Sequence, residues 1–118
     1  MKILDFYKCL LIICLFLSGY PSRAIATDQQ KVDSFLRAAN NEKDAAKRSV
    51  MLSGASTLIY SIDPNKGMLY AREALALARQ AGSETSEEAA LNCIGISFEA
   101  LSLYDSSLLY YSRALSLC

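Results

Sequence analysis

The fold is decided by Leu91–Leu117, LNCIGISFEALSLYDSSLLYYSRALSL. Apolar side chains recur here every three or four residues on both sides of a break at Tyr104-Asp105, where Asp105 can cap the second segment. This spacing predicts two short amphipathic helices folded back on each other. Their predicted apolar faces consist of Leu91, Ile94, Gly95, Phe98 and Leu101 in the first helix, and Leu108, Tyr111, Ala114 and Leu115 in the second.

The same pattern occurs a second time, forty residues upstream. At this shift five positions are identical, namely Leu69/Leu109, Tyr70/Tyr110, Ala74/Ala114, Leu75/Leu115 and Leu77/Leu117. Four further positions carry similar residues, namely Met51/Leu91, Ala55/Gly95, Leu58/Phe98 and Met68/Leu108. Self-similarity at this period predicts a helical solenoid, in which each helix pair buries one face on its neighbour.

The remaining mature chain also has helical spacing and no convincing period-two strand, so the sequence predicts an all-α fold. Further helices are expected over 29–39, 42–60, 64–80 and 85–103. Their boundaries are indicated by Asp28 as a cap, by a break at Asp63-Pro64-Asn65, by Gly82 as a stop and by the capping-box pattern Thr85-x-x-Glu88. The predicted organisation is a signal peptide (1–26), a short helix and turn (27–41), a first helix pair (42–82) and a second pair (83–118) that we expect to be truncated.

Residues Met1–Ala26 have the three parts of a secretory signal peptide. Lys2 and Lys8 supply positive charge, Cys9–Leu17 is an unbroken apolar run, and Ala24-Ile25-Ala26 offers a small-x-small cleavage site. We therefore expect export to the periplasm or another extracytoplasmic space, with cleavage after Ala26.

The apolar run is short for a membrane span, which needs about 20 residues. Gly19 and Pro21 are expected to break any helix that continues beyond it. An uncleaved N-terminal membrane anchor is the alternative interpretation of this segment.

Composition excludes several classes of function. The chain has no His, so histidine general bases and His-containing metal sites are excluded. Its 12 basic and 12 acidic residues give zero formal charge, which argues against a nucleic-acid partner. Cys93 lies among apolar residues and is interpreted as a buried free thiol, although pairing with Cys118 stays open. No arrangement of residues indicates catalysis, so we expect neither an enzyme, a bound metal nor a cofactor.

The second copy resembles the tetratricopeptide repeat (TPR) family. The resemblance rests on Leu91-x-x-Ile94-Gly95-x-x-Phe98, followed by Leu101, Tyr104, Ser107, Tyr111 and Ala114-Leu115. It covers about 48–117 and is weaker in the first copy, where Gly67 and Ala71 replace the usual Ala and aromatic residue. The forty-residue interval exceeds the usual period of about 34 and is similar to the longer-looped repeats of bacterial signalling proteins.

The resemblance implies antiparallel helix pairs stacked as a short right-handed solenoid. Gly95 would let the partner helix approach closely where Ala114 faces it. Phe98 and Tyr111 would fill the space between consecutive pairs.

The resemblance also implies a function in protein–protein interaction. TPR arrays bind extended peptides or helices on a concave surface, which here would be formed by Ser49, Leu52, Ser56, Ile59, Tyr60, Ala89, Asn92, Ile96, Glu99 and Ala100. The other interpretation is that these are ordinary packing and solvated positions. Because only Arg48, at the margin, is basic, a clamp for a peptide carboxylate is not expected.

Two kinds of protein fit these expectations. One is an exported, non-catalytic interaction module, forming the front part of a bacterial membrane-bound sensor or regulator. The other is a structural helical protein that assembles with its own copy through the open last helix, which would leave Leu108, Leu115 and Leu117 without cover.

Overall fold

A computed structural model describes the backbone of residues 3–118 and the side chains of residues 3–14 and 28–118. This part of the chain forms five α-helices and no strand, which confirms the all-α prediction. The helices are α1 (Ile3–Asn41), α2 (Ala45–Ile59), α3 (Pro64–Ala81), α4 (Glu84–Ala100) and α5 (Tyr104–Ser116).

Helix α1 is much longer than the sequence predicts, with 39 residues instead of the short segment 29–39. The expectations that Asp28 caps a helix and that Gly19 and Pro21 break one are wrong, because α1 continues through all three positions. Extending a helix needs no new nucleus, and the segment around Val32 and Ala39 is already held by packing.

The predicted cleavage site at Ala24-Ile25-Ala26 lies outside the residues whose side chains are described. Among the described residues, no helix is both long enough and apolar enough to cross a bilayer.

The boundaries of α3 follow the sequence prediction. The Asp63 carboxylate accepts a hydrogen bond from the Lys66 amide at 3.1 Å, and Pro64 occupies the first turn. At the other end, Gly82 has a φ of 65°, a left-handed conformation that favours glycine and ends the helix.

Three other helix starts differ from the prediction. Helix α2 begins at Ala45 instead of residue 42, because the carboxylate of Asp44 accepts from the Lys47 amide. The capping box at Thr85 is not used, since Ser83 caps α4 by accepting from the Ser86 amide.

Asp105 does not cap α5. Leu103 occupies the N-cap position without a side-chain hydrogen bond, so Tyr104 and Asp105 belong to the first turn of the helix instead of to a turn before it. A carboxylate in the first turn still interacts favourably with the helix dipole.

Hydrogen bonds establish the relative directions of α2 and α3. The Ser49 hydroxyl donates to the Ala74 carbonyl at 2.6 Å, and the Ser56 hydroxyl donates to the Gly67 carbonyl at 2.8 Å. Since one residue number rises as the other falls, the two helices are antiparallel.

Helices α2 and α4 run parallel, in contrast. The Cys93 thiol lies 3.6 Å from the Ser53 carbonyl, and the Ser86 hydroxyl lies 3.5 Å from the Ala46 carbonyl. Both pairs are separated by 40 residues, the interval of the sequence repeat. Equivalent helices of the two copies therefore lie side by side in register.

The main core lies between α2, α3 and α4, with contributions from α1 and α5. Its buried members are Ala39, Leu52, Met68, Ala71, Ala74, Leu75, Ala90, Leu91, Cys93, Ile94 and Ala114. Many of them are alanines, so helix backbones approach closely. Cys93 is a buried free thiol, as predicted, and Cys118 is an exposed one.

Candidate functional site

The structure divides the predicted concave face into a buried half and an accessible half. The α2 residues Ser49, Leu52 and Ser56 are at most 4% exposed. Two of them bind carbonyls of α3, as described above, and Leu52 belongs to the main core. These three residues therefore hold α2 against α3 and do not line a ligand surface, and the same holds for the buried Ile59.

The accessible half lies on α4 and at the end of α2. Asn92 and Ile96 are half-buried and Glu99 is exposed, at spacings of four and three residues that place them on one side of α4. We call these three residues the α4 ridge. Tyr60 and Ala89 are half-buried, and Ala100 is exposed.

A first depression separates the α4 ridge from the end of α2. It has a volume of about 290 Å³ and is lined by Tyr60, Ile96, Glu99 and Ala100. The structure thus brings together four members of the sequence-predicted face, three of which have apolar or aromatic side chains.

A second depression lies on the other side of the ridge, between α4 and α5. It has a volume of about 260 Å³ and is lined by Glu88, Asn92, Tyr111, Ala114, Leu115 and Cys118. The Tyr111 hydroxyl donates to the Glu99 carboxylate at 2.9 Å and so connects α5 to the ridge.

The ring of Tyr111 packs against Gly95. A Cβ atom added to Gly95 would lie 2.7 Å from this ring, which occupies the space above the glycine. Among the described residues, the side chain nearest to Gly95 is thus that of Tyr111, where the prediction placed Ala114. Phe98 packs on Tyr110, with 5.4 Å between the ring centroids.

The electrostatics of the site are dominated by two carboxylates. Glu88 and Glu99 form no ion pair among the described residues, where the salt bridges join Arg48 to Glu73 and Arg79 to Glu87. Burial first, and then the hydrogen bond to Glu99, raise the pKa of the Tyr111 hydroxyl. The hydrogen bond to Glu88 raises the pKa of the Cys118 thiol.

Sequence reasoning missed Glu88, Leu115 and Cys118 as members of this surface. Glu88 could have been found, because it precedes Asn92 by four residues and so continues the α4 ridge. Leu115 and Cys118 could not, because their position depends on how α5 crosses α4.

Within the described part of the chain, no group of three His, Cys, Asp or Glu side chains is placed to hold a metal ion. The arrangement offers apolar contact, hydrogen-bonding hydroxyls and an amide, and negative charge. These are the properties of a binding surface. No known protein family matches the chain, and no curated protein or solved structure is detectably similar to it.

Proposed function

We propose that the chain is a non-catalytic, TPR-like interaction module that binds a peptide segment along the α4 ridge. The observation that carries this proposal is the ridge itself, which stays accessible between two depressions, whereas four α2 residues of the predicted face are buried, namely Ser49, Leu52, Ser56 and Ile59. The antiparallel pairing of α2 with α3 and the parallel, in-register contact of α2 with α4 support a solenoid arrangement.

The chemistry of the ridge favours a peptide with aliphatic and basic side chains. Ile96 and Ala100 offer apolar contact in the first depression, next to the ring of Tyr60. Glu99 and Glu88 supply negative charge at two points about three turns apart on α4. A Lys or Arg of the peptide would meet one carboxylate while an aliphatic neighbour enters the depression.

Selection of a random peptide library on the full chain tests this function. We expect the selected peptides to be enriched in Lys or Arg next to aliphatic residues. Ile96→Asp should then weaken their binding by about tenfold or more, as judged by fluorescence anisotropy, because it places a charge in the apolar depression.

Leu69→Asp is the matched control, since Leu69 is 62% exposed on α3 and outside both depressions. It should leave binding unchanged. Equal losses in the two variants, or no enriched peptides, would contradict the proposal.

We further propose that the module acts outside the cytoplasm, as the front part of a membrane-bound sensor or regulator. Support comes from the charge, apolar run and small-residue site of residues 1–26. Expression in a bacterium, followed by N-terminal sequencing of the periplasmic product, should show Thr27 as the first residue. A product that keeps Met1 in the membrane fraction would instead indicate the uncleaved anchor.

A further inference from the structure

Two pairs of equivalent apolar residues differ strongly in burial between the second helices of the two repeats. Met68 and Leu75 in α3 are each 8% exposed, whereas their equivalents in α5, Leu108 and Leu115, are 63% and 72% exposed. Ala74 and its equivalent Ala114, on the other face, are both at most 2% exposed. The difference in exposure therefore depends on which helix, if any, covers the side of α3 or α5 that carries these larger side chains.

Helix α4 provides that cover for α3. Met68 and Leu75 belong to one core cluster with Ala90 and Ile94 of α4. The Arg79 side chain also donates to the Glu87 carboxylate at 3.1 Å, which fixes α4 antiparallel to α3. No described residue occupies the corresponding position beside α5, because α5 packs against α4 alone.

The uncovered residues of α5 form a continuous stripe. Tyr104, Leu108 and Leu115 follow one another at four and seven residues, which places them on one side of the helix. They are between 61% and 72% exposed. We call them the open α5 face. Such a stripe buries its side chains only when another helix packs on it.

We propose that the open α5 face binds an amphipathic helix of a partner protein, packed antiparallel to α5 as α4 packs on α3. The internal repeat specifies the chemistry of that helix. Like α4, it would be about 17 residues long. It would present small side chains, as at Ala90 and Ser97, on either side of a large aliphatic one, as at Ile94.

A second copy of this chain does not fit the requirement. The face of α4 that would be needed is already buried on the α3 of its own molecule, with Ala90 and Ile94 at most 1% exposed. A folded copy could offer only its own open α5 face. That face carries large side chains throughout and lacks the small residues that let α4 approach α3.

The test uses α4 itself as the probe. The probe is a labelled peptide with the sequence of residues 83–101. A hydrocarbon staple between positions 88 and 92 holds it helical and leaves the stripe of Ala90, Ile94 and Ser97 free. We expect saturable binding of this peptide to the full chain by fluorescence anisotropy. Leu108→Lys should weaken binding by about tenfold or more, and Leu69→Lys should leave it unchanged.

Both substitutions replace exposed leucines, so circular dichroism should confirm equal helix content in the two variants. No binding of the stapled peptide, or equal binding to the Leu108→Lys variant, would overturn the proposal. So would a dimer of the full chain in analytical ultracentrifugation that Leu108→Lys dissociates, because the occupant would then be a second copy.

This inference is independent of the proposed function of the α4 ridge. Ile96→Asp should weaken the binding of library-selected peptides and leave the stapled peptide bound. Leu108→Lys, at a residue outside both depressions, should weaken the binding of the stapled peptide and leave the library-selected peptides bound. Loss of both activities in one variant would show that a single surface is involved and would count against this proposal.

Discussion

At the scale of single residues, side chains of different size fill the equivalent helix crossings of the two helix pairs. In the first pair the equivalent positions of Gly95 and Tyr111 are Ala55 and Ala71, both fully buried. In the second pair one residue is smaller and the other much larger. The ring of Tyr111 uses the space that the missing Cβ of Gly95 leaves.

We predict that Gly95→Ala destabilises the protein by about 1–3 kcal/mol, because the added methyl group meets a ring that cannot move freely. The double variant Gly95→Ala/Tyr111→Ala has the same two residues at this crossing as the first pair. Its loss of stability should therefore be smaller than the sum of the losses in the two single variants. Urea denaturation followed by circular dichroism measures both. Strict additivity would show that the two residues do not share one space.

The buried serines of α2 also differ among themselves. The hydroxyls of Ser49 and Ser56 donate to carbonyls of α3, whereas the buried Ser53 hydroxyl has no hydrogen-bond partner among the described residues. An unpaired buried hydroxyl is unfavourable by about 1–3 kcal/mol, whereas a satisfied one stabilises.

Ser53→Ala is therefore expected to leave stability unchanged or to raise it by about 1 kcal/mol, and Ser56→Ala to lower it by about 1 kcal/mol. The two substitutions remove the same atom from the same helix, so each serves as the control for the other. Thermal melts of both variants measure the two changes. A lower melting temperature for Ser53→Ala than for Ser56→Ala would mean that the Ser53 hydroxyl has a hydrogen-bond partner.

At the scale of helices, the chain uses caps with and without a side-chain hydrogen bond. Asp63 caps α3 through the Lys66 amide, but Asp105 lies inside the first turn of α5 and bonds no backbone amide there. Both aspartates look alike in the sequence, because each follows an apolar segment and precedes a helix. They differ because Asp63 occupies the N-cap position, whereas Asp105 lies two residues after the N-cap Leu103.

Asp63→Ala should lower the free energy of unfolding by about 1 kcal/mol, since it removes a capping bond. Asp105→Ala removes only an interaction with the helix dipole and should lower it by about 0.3 kcal/mol. Guanidinium denaturation of the two variants separates these values. An equal loss at both sites would mean that Asp105 caps α5 after all.

At the scale of the whole molecule, the packed part of the chain runs from about Val32 to the end of α5. The large apolar side chains between Ile3 and Ile13 are 45–76% exposed. They belong to α1, but exposure of this extent means that they bury little surface on folding. Stability therefore resides in the helices from the second half of α1 onward.

Removing residues 1–14 should leave the free energy of unfolding within about 0.5 kcal/mol of that of the full chain. Val32→Ala, at a side chain only 1% exposed, should lower it by about 2 kcal/mol. Chemical denaturation of the two variants makes the comparison. A large loss on truncation would show that the N-terminal part of α1 supports the fold.

The sequence by itself determined the helical class, the forty-residue repeat, the helix break at Asp63-Pro64-Asn65 and the stop at Gly82. These features depend on local periodicity and on backbone preferences of single residues, which act within a few positions of the chain. The predicted cap of α5, Asp105, lies two residues beyond the observed N-cap Leu103, because several local caps compete and packing decides between them.

Only the tertiary structure decided which face of each helix stays accessible. Leu52 and its equivalent Asn92 occupy the same place in the repeat, yet Leu52 is buried in the main core and Asn92 lies half-buried on the α4 ridge. Likewise, Leu75 is buried and its equivalent Leu115 is exposed. Burial depends on whether a neighbouring helix is present. The identity of a residue in a repeat does not reveal whether another helix packs on it.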